Sequence, residues 1–264
     1  MACAALAARD MMIDVDDGAL ATLIAGGGPT LVMLHGWTLD HRNWRPQLPL
    51  ADHLRLVMPD RRGFGRSIAP ADLAREWQDI DQLAGEGRFV LVGLSQGAVV
   101  ALDYARRRPE RLAGLVLVGA PLHDIVPHDD EEDVIPRRQY ADLVHAGQLA
   151  TMKALWAGHA LVRTTMASRP LLEAMLDSYD GRDLKAPAGG VAIAAADIAV
   201  LTMPVLAMAG AGDTAWRRDV ARFIGATAPL GKAMLIDDAG HLCNLDNPSA
   251  FNAILRDFLS PLFN

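Results

Sequence analysis

Three residues far apart in the chain have types and settings suited to acyl-transfer chemistry: Ser95, Asp213 and His241. The most informative five residues are Gly93-Leu94-Ser95-Gln96-Gly97. They follow an apolar run, Phe89 to Val92, and precede an amphipathic stretch that starts at Ala98. A serine projecting from a sharp strand-to-helix turn crowds backbone against backbone, so the positions two before and two after it tolerate only small residues. Both are glycine here. The helix that starts there leaves its first N–H groups unpaired, with its positive dipole end toward the reacting oxygen. The backbone N–H of Gln96 is therefore a candidate donor to an oxyanion.

A serine hydroxyl is a poor nucleophile at neutral pH until a base accepts its proton. His241 sits in Ala239-Gly240-His241-Leu242, just after the apolar run Ala233 to Ile236, where Gly240 allows a tight loop. An acid must fix the imidazole tautomer and stabilise the imidazolium. Asp213 follows Val205 to Ala209 through Gly210-Ala211-Gly212, and Asp124, just past Leu115 to Gly119, is its rival. Asp237 and Asp238 lie too close in sequence to His241 to reach its far nitrogen. His35-Gly36-Trp37 follows another apolar run, and Gly36 lets the backbone approach a substrate there. Asp60-Arg61-Arg62-Gly63-Phe64-Gly65-Arg66-Ser67 reads as glycine turns with a local hydrogen-bonding network of charges, a structural device.

The elements that must position these residues follow from periodicity. Thr30 to Leu34, Leu54 to Met58, Phe89 to Val92, Leu115 to Val118, Val205 to Ala209 and Ala233 to Ile236 are nearly continuous in apolar character. That is the pattern of strands buried on both faces of a parallel sheet. Ala19 to Ile24 predicts a hairpin strand at the sheet edge, with the turn Gly26 to Pro29 leading into the first parallel strand. Ala98 to Arg107, Arg217 to Ile224 and Ser249 to Leu259 read as helices, and the alternation predicts a mostly parallel, doubly wound α/β sheet. It breaks once, from Pro121 to Met203, where only helical fragments are legible. We therefore expect residues 1–121 and 197–264 to form the core and residues 122–196 a helical cap over its top. The acidic run Asp129, Asp130, Glu131, Glu132, Asp133 reads as a solvated loop or helix start, because it lacks the glycine turn and terminal Glu of a calcium loop.

Bulk properties bound the function. The chain has 264 residues, a formal net charge of −7 and 51% apolar residues, enough for one large domain with a sizeable core. Excess acid argues against a nucleic-acid partner, and Arg106-Arg107-Arg108 answers a helix dipole better than a polyanion. The N-terminal segment lacks the basic start and long apolar stretch of a secretory signal, and no run is long enough to span a bilayer. Cys3 and Cys243 are not expected to pair, which fits a reducing, cytoplasmic setting.

His35-Gly-Trp-Thr-Leu-Asp-His-Arg-Asn-Trp44, Asp60-Arg-Arg-Gly-Phe-Gly-Arg-Ser67, Gly93-Leu-Ser-Gln-Gly97, Gly210-Ala-Gly-Asp213 and Gly240-His-Leu-Cys-Asn-Leu-Asp-Asn-Pro248 together resemble the α/β-hydrolase superfamily, in its order and over about two thirds of the chain. Within it the chain looks closest to small esterases and to enol-lactonases similar to 3-oxoadipate enol-lactonase. The resemblance implies a Ser95–His241–Asp213 triad in the family's chain order and a second oxyanion N–H from Trp37 beside that of Gln96. It implies hydrolysis of a small ester or lactone through an acyl-enzyme on Ser95, with no metal and no organic cofactor. Trp37, Leu122, Trp156 and Met166 are candidate substrate-lining residues. Gln96 departs from the Met that many relatives carry, and the short stretch from Ser67 to Phe89 predicts a trimmed helix before the serine turn. Two other readings stay open on the same fold. One is a cofactor-free dioxygenase or C–C bond hydrolase, although such dioxygenases often carry a histidine where this chain has Leu94. The other is a non-catalytic ligand-binding receptor. Self-association into a homo-oligomer is left open.

Overall fold

The computed structural model describes residues 8–123, 125–127, 131–187 and 189–263. Eight strands form one sheet in the order β1-β2-β4-β3-β5-β6-β7-β8. They are β1 (Arg9–Val15), β2 (Gly18–Ala25), β3 (Thr30–Leu34), β4 (Arg55–Pro59), β5 (Phe89–Leu94), β6 (Leu112–Val118), β7 (Val205–Gly210) and β8 (Gly231–Ile236). β1 and β2 form an antiparallel hairpin, and β2 also pairs antiparallel with β4. From β4 through β8 every pairing is parallel. The hairpin is thus present, but β2 is an inner strand and β1 takes the edge. At the opposite edge β8 has a strand on one side only, and it is partly exposed where the apolar pattern predicts full burial.

The continuous apolar runs are explained by two cores. Successive side chains on a strand point to opposite faces, and Leu31 and Met33 of β3 join one core while Val32 and Leu34 join the other. One face is covered by α1 (Glu76–Ala84), α2 (Gln96–Arg107) and α8 (Ala215–Thr227). The other face carries a long 3-10 segment, His41–Asp52, and α10 (Pro248–Leu259), which follows the single turn α9 (Cys243–Asp246). In the last turn of α2, Arg106 and Arg107 both bond Asp103 of the same helix, and Arg106 also reaches Asp197.

Between β6 and β7 the described residues form helices and no strand. These are α3 (Arg137–His145), α4 (Leu149–Ala157), α5 (Arg169–Ser178), α6 (Arg182–Lys185) and α7 (Ala195–Ala199). Tyr140, Trp156 and Tyr179 from this segment pack around the Trp37 ring. The segment is therefore fused to the loop that follows β3.

The helix before the serine turn is α1, nine residues long. One expectation is corrected. The acidic run is not wholly solvated: Asp133 is 0% exposed and Arg217 of α8 is 1% exposed. Arg217 Nε and Nη2 donate to the Asp133 carboxylate at 2.8–2.9 Å, which neutralises a charge that could not otherwise be buried. Asp129 and Asp130 of that run lie outside the described residues, as do Cys3 and Asp124. Cys243 is buried with a free thiol. Among the described residues no helix is long and apolar enough to cross a membrane.

Candidate active site

Ser95 sits between the last residue of β5 and the first of α2 with φ 52° and ψ −117°. A non-glycine residue at such a φ stores strain that the surroundings must impose. They do so on both sides. A side chain at Gly93 would bring its Cβ within 2.3 Å of the Gly97 carbonyl oxygen, and one at Gly97 within 2.5 Å of that of Leu34. The Ser95 N–H donates to Val118 O at 2.8 Å, which ties the turn to the end of β6. Gln96 opens α2, so its N–H has no carbonyl one turn earlier to reach. The loop after β3 lies directly alongside: a Cβ on Gly36 would stand 3.4 Å from Ser95 Cβ.

Asp213 and His241 reach the same place from the ends of β7 and β8. A chain of backbone bonds shapes the two loops against each other: Ala211 N–H to Ile236 O, Gly212 N–H to Ala239 O and Asp213 N–H to Gly210 O. Asp213 Oδ1 accepts from the Thr214 N–H at 2.8 Å, and His241 Nδ1 donates to Asp213 Oδ2 at 2.9 Å. With the proton on Nδ1, Nε2 is left as the acceptor, the tautomer a base needs. Both side chains are buried. Asp237 and Asp238 are exposed.

Ser95 and His241 share the wall of a cavity of about 20 Å³ with Trp37, Trp156 and Leu242. The described residues contain no hydrogen bond between the two side chains, and such contacts commonly tighten only when substrate binds. A second cavity, about 240 Å³, also reaches Ser95 and is lined by Trp37, Gln96, Leu122 and Arg217. The structure thus brings Ser95, Gln96, Trp37, Leu122 and Trp156 together around these spaces. Met166 is not among them. Its side chain is 82% exposed on the segment before α5 and lines neither cavity, because apolar character alone does not say which way a residue of an irregular segment faces.

His35 is not a second base. Its Nδ1 donates to Gly36 O and its Nε2 accepts from the Arg61 N–H. Burial, aided by the Arg61 charge, lowers its pKa to about 4, so the ring is neutral at physiological pH. Arg61 and Arg62 are buried as predicted for a structural network, paired with Glu76 and Asp79 of α1. Asp40, His41 and Asp60 stand close enough to hold a metal, but they bond within the protein. Asp60 accepts from the His41 N–H and ring and from the Arg66 N–H, and Asp40 accepts from Arg42.

Three residues of the site were not singled out from the sequence. Gly119, just after β6, has φ 53°, and a Cβ there would come within 2.6 Å of His241 Cε1. A glycine closing the strand beside the serine turn was the available signal. Arg217 Nη1 donates to the Gly119 carbonyl at 2.7 Å; an arginine in the apolar stripe of Val220, Ala221 and Ile224 could have marked it. Asp246 accepts from the Gly240 N–H with one oxygen and from the Thr165 N–H and Ser168 Oγ with the other. It had no local signal. Gly119→Ala is expected to push the imidazole off Asp213 and to lower kcat by about 10²-fold, since displacements near 1 Å carry that cost. Steady-state kinetics with a melting curve checks this; unchanged kcat would mean the ring is not held against residue 119.

The chain matches the alpha/beta hydrolase family over residues 31–254. It is 28% identical over 253 residues to a pimeloyl-[acyl-carrier protein] methyl ester esterase of Edwardsiella ictaluri, covering 88% of this chain and 93% of that one. Among solved structures it superposes on a thermophilic esterase from Thermogutta terrifontis with a TM-score of 0.79 and 22% identity, covering 98% of this chain and all of that one. It superposes on an enol-lactonase from Burkholderia xenovorans with a TM-score of 0.77 and 20% identity, covering 95% and 100%.

Proposed function

Because the chain belongs to the alpha/beta hydrolase family, we propose that it hydrolyses a carboxylic ester through an acyl-enzyme on Ser95, with His241 as base and Asp213 as its orienting acid. The observation that carries the reading is the 2.9 Å His241–Asp213 bond beside a serine held at a strained turn, with both Ser95 and His241 facing one cavity. As Ser95 Oγ attacks the ester carbonyl, His241 Nε2 takes its proton. The N–H groups of Gln96 and Trp37 hold the oxyanion of the tetrahedral intermediate, each worth roughly 3 kcal/mol of barrier. The imidazolium then protonates the leaving alcohol as the C–O bond breaks. Water, deprotonated by the same nitrogen, attacks the acyl carbonyl and releases the acid and free Ser95.

The cavities support a reading of where the two halves of the substrate would lie. The leaving oxygen must lie within reach of His241, which, of the two cavities beside Ser95, lines the space of about 20 Å³, room for little more than a water. The acyl chain then occupies the cavity of about 240 Å³ beyond Gln96. This favours an open ester of a very small alcohol over a lactone, whose acyl and alcohol parts stay joined. The relative named for methyl ester cleavage supports the same reading. The helices between β6 and β7 serve as the cap that closes these spaces, with Leu122 and Trp156 in their walls.

A fluorophosphonate is expected to label Ser95 and no other serine, and purified protein to release methanol from methyl esters of medium chain length. Labelling elsewhere, with no methanol released, would defeat the assignment.

A further inference from the structure

We infer that the acyl group carries a carboxylate at its far end, read by Arg137 and by the side-chain amide of Gln96. This rests on the ester-hydrolase reading and extends it to substrate class. The cavity of about 240 Å³ beside Ser95 shares Leu73, Gln96 and Arg137 with a larger cavity of about 520 Å³. The two cavities adjoin along these residues, and two polar side chains, Gln96 and Arg137, stand at this junction.

Their donors are oriented by partners outside the path. Arg61 is pinned by both oxygens of Glu76, at 2.7 and 2.9 Å, and by His35 O at 3.0 Å. Its Nη1 also donates to Gln96 Oε1 at 3.1 Å. A guanidinium has no acceptor, so it is the amide oxygen that must face Arg61. The Gln96 Nε2 group, with two N–H donors, forms no hydrogen bond among the described residues and is left for the junction. Arg137 lies over the Trp37 ring, 4.9 Å from its centroid, which fixes its guanidinium near the junction. The guanidinium's one hydrogen bond among the described residues is a long contact of 3.4 Å to Asp183 Oδ2. That carboxylate already accepts from Trp37 Nε1 at 2.8 Å and Tyr179 Oη at 2.6 Å. Most of the five Arg137 donors remain uncommitted.

Four other charged groups line the larger cavity. Glu76 is held by Arg61 and Asp183 by Trp37, Tyr179 and Arg137, while Asp72 accepts from the Ala74 N–H. Arg138 lines the same cavity and has no hydrogen bond or ion pair among the described residues. The unmet capacity at the junction is thus all donor. A group that accepts several hydrogen bonds at once matches it, and a carboxylate does so best, taking two parallel bonds from a guanidinium.

The test compares monomethyl esters of dicarboxylic acids, succinate through suberate, with methyl esters of monocarboxylic acids of equal chain length. Methanol release by the full chain is followed at neutral pH. At one or more lengths the acidic ester is expected to have a kcat/KM at least about tenfold higher, carried mainly by KM. In Arg137→Met, whose melting temperature checks the fold, that ratio is expected to fall toward one, and Arg137→Lys to restore part of it. Turnover of the plain esters with no acid preference at any length overturns this inference alone. So does a preference that survives Arg137→Met. Failure of both ester classes, with Ser95 unlabelled by fluorophosphonate, overturns it together with the hydrolase reading.

Discussion

Ser95→Ala is expected to lower kcat for methyl ester hydrolysis by about 10⁵- to 10⁶-fold, with the melting temperature unchanged. The size follows from how such groups work as a unit: removing the nucleophile or its base costs nearly as much as removing the whole set. His241→Ala should therefore fall to a similar level, and the double variant no further. What activity survives would come from the N–H donors and from substrate binding. Measuring kcat for both single variants and the double variant decides it. If Ser95→Ala kept more than about one hundredth of the activity, another group would have to be the nucleophile.

The second large effect concerns stability. Asp133→Ala leaves Arg217 charged and fully enclosed, and should cost about 3–5 kcal/mol of unfolding free energy. Arg217→Ala is expected to be similar, with the added loss of the bond to the Gly119 carbonyl. Replacing both by apolar residues of like volume, Arg217→Met with Asp133→Leu, should recover much of the loss, because no unpaired charge is then buried. Urea unfolding of the three variants measures this. A loss below about 1 kcal/mol for Asp133→Ala would mean that water reaches the pair.

These two effects also mark what could be read from sequence. Ser95 and its glycines were legible because the constraint is local: a strained turn admits small neighbours only, and the clashes at Gly93 and Gly97 are with backbone a few residues or one strand away. The parallel strands were legible because burial on both faces leaves an unbroken apolar run. α1 was harder to read for the opposite reason. Glu76 and Asp79 lie on its buried side with Ile80, Leu83 and Ala84, so its apolar stripe is interrupted by acids. They are buried only because Arg61 and Arg62 meet them there. Asp133 is the same case over a longer span, since its partner stands 84 residues away. A charge buried by a distant partner looks in sequence like a charge in water. Met166 fails in the other direction: an apolar residue in an irregular segment has no periodicity to say which side it faces.

Asp246 joins the histidine loop to the residues just before α5. If those residues swing outward to admit a substrate, the carboxylate must either let go of Thr165 and Ser168 or drag the Gly240 amide along. In the first case the base keeps its place while the doorway opens; in the second, the imidazole comes apart from its acid. Only in that second case would admission and reaction be separate moments in each turnover, divided by a single aspartate.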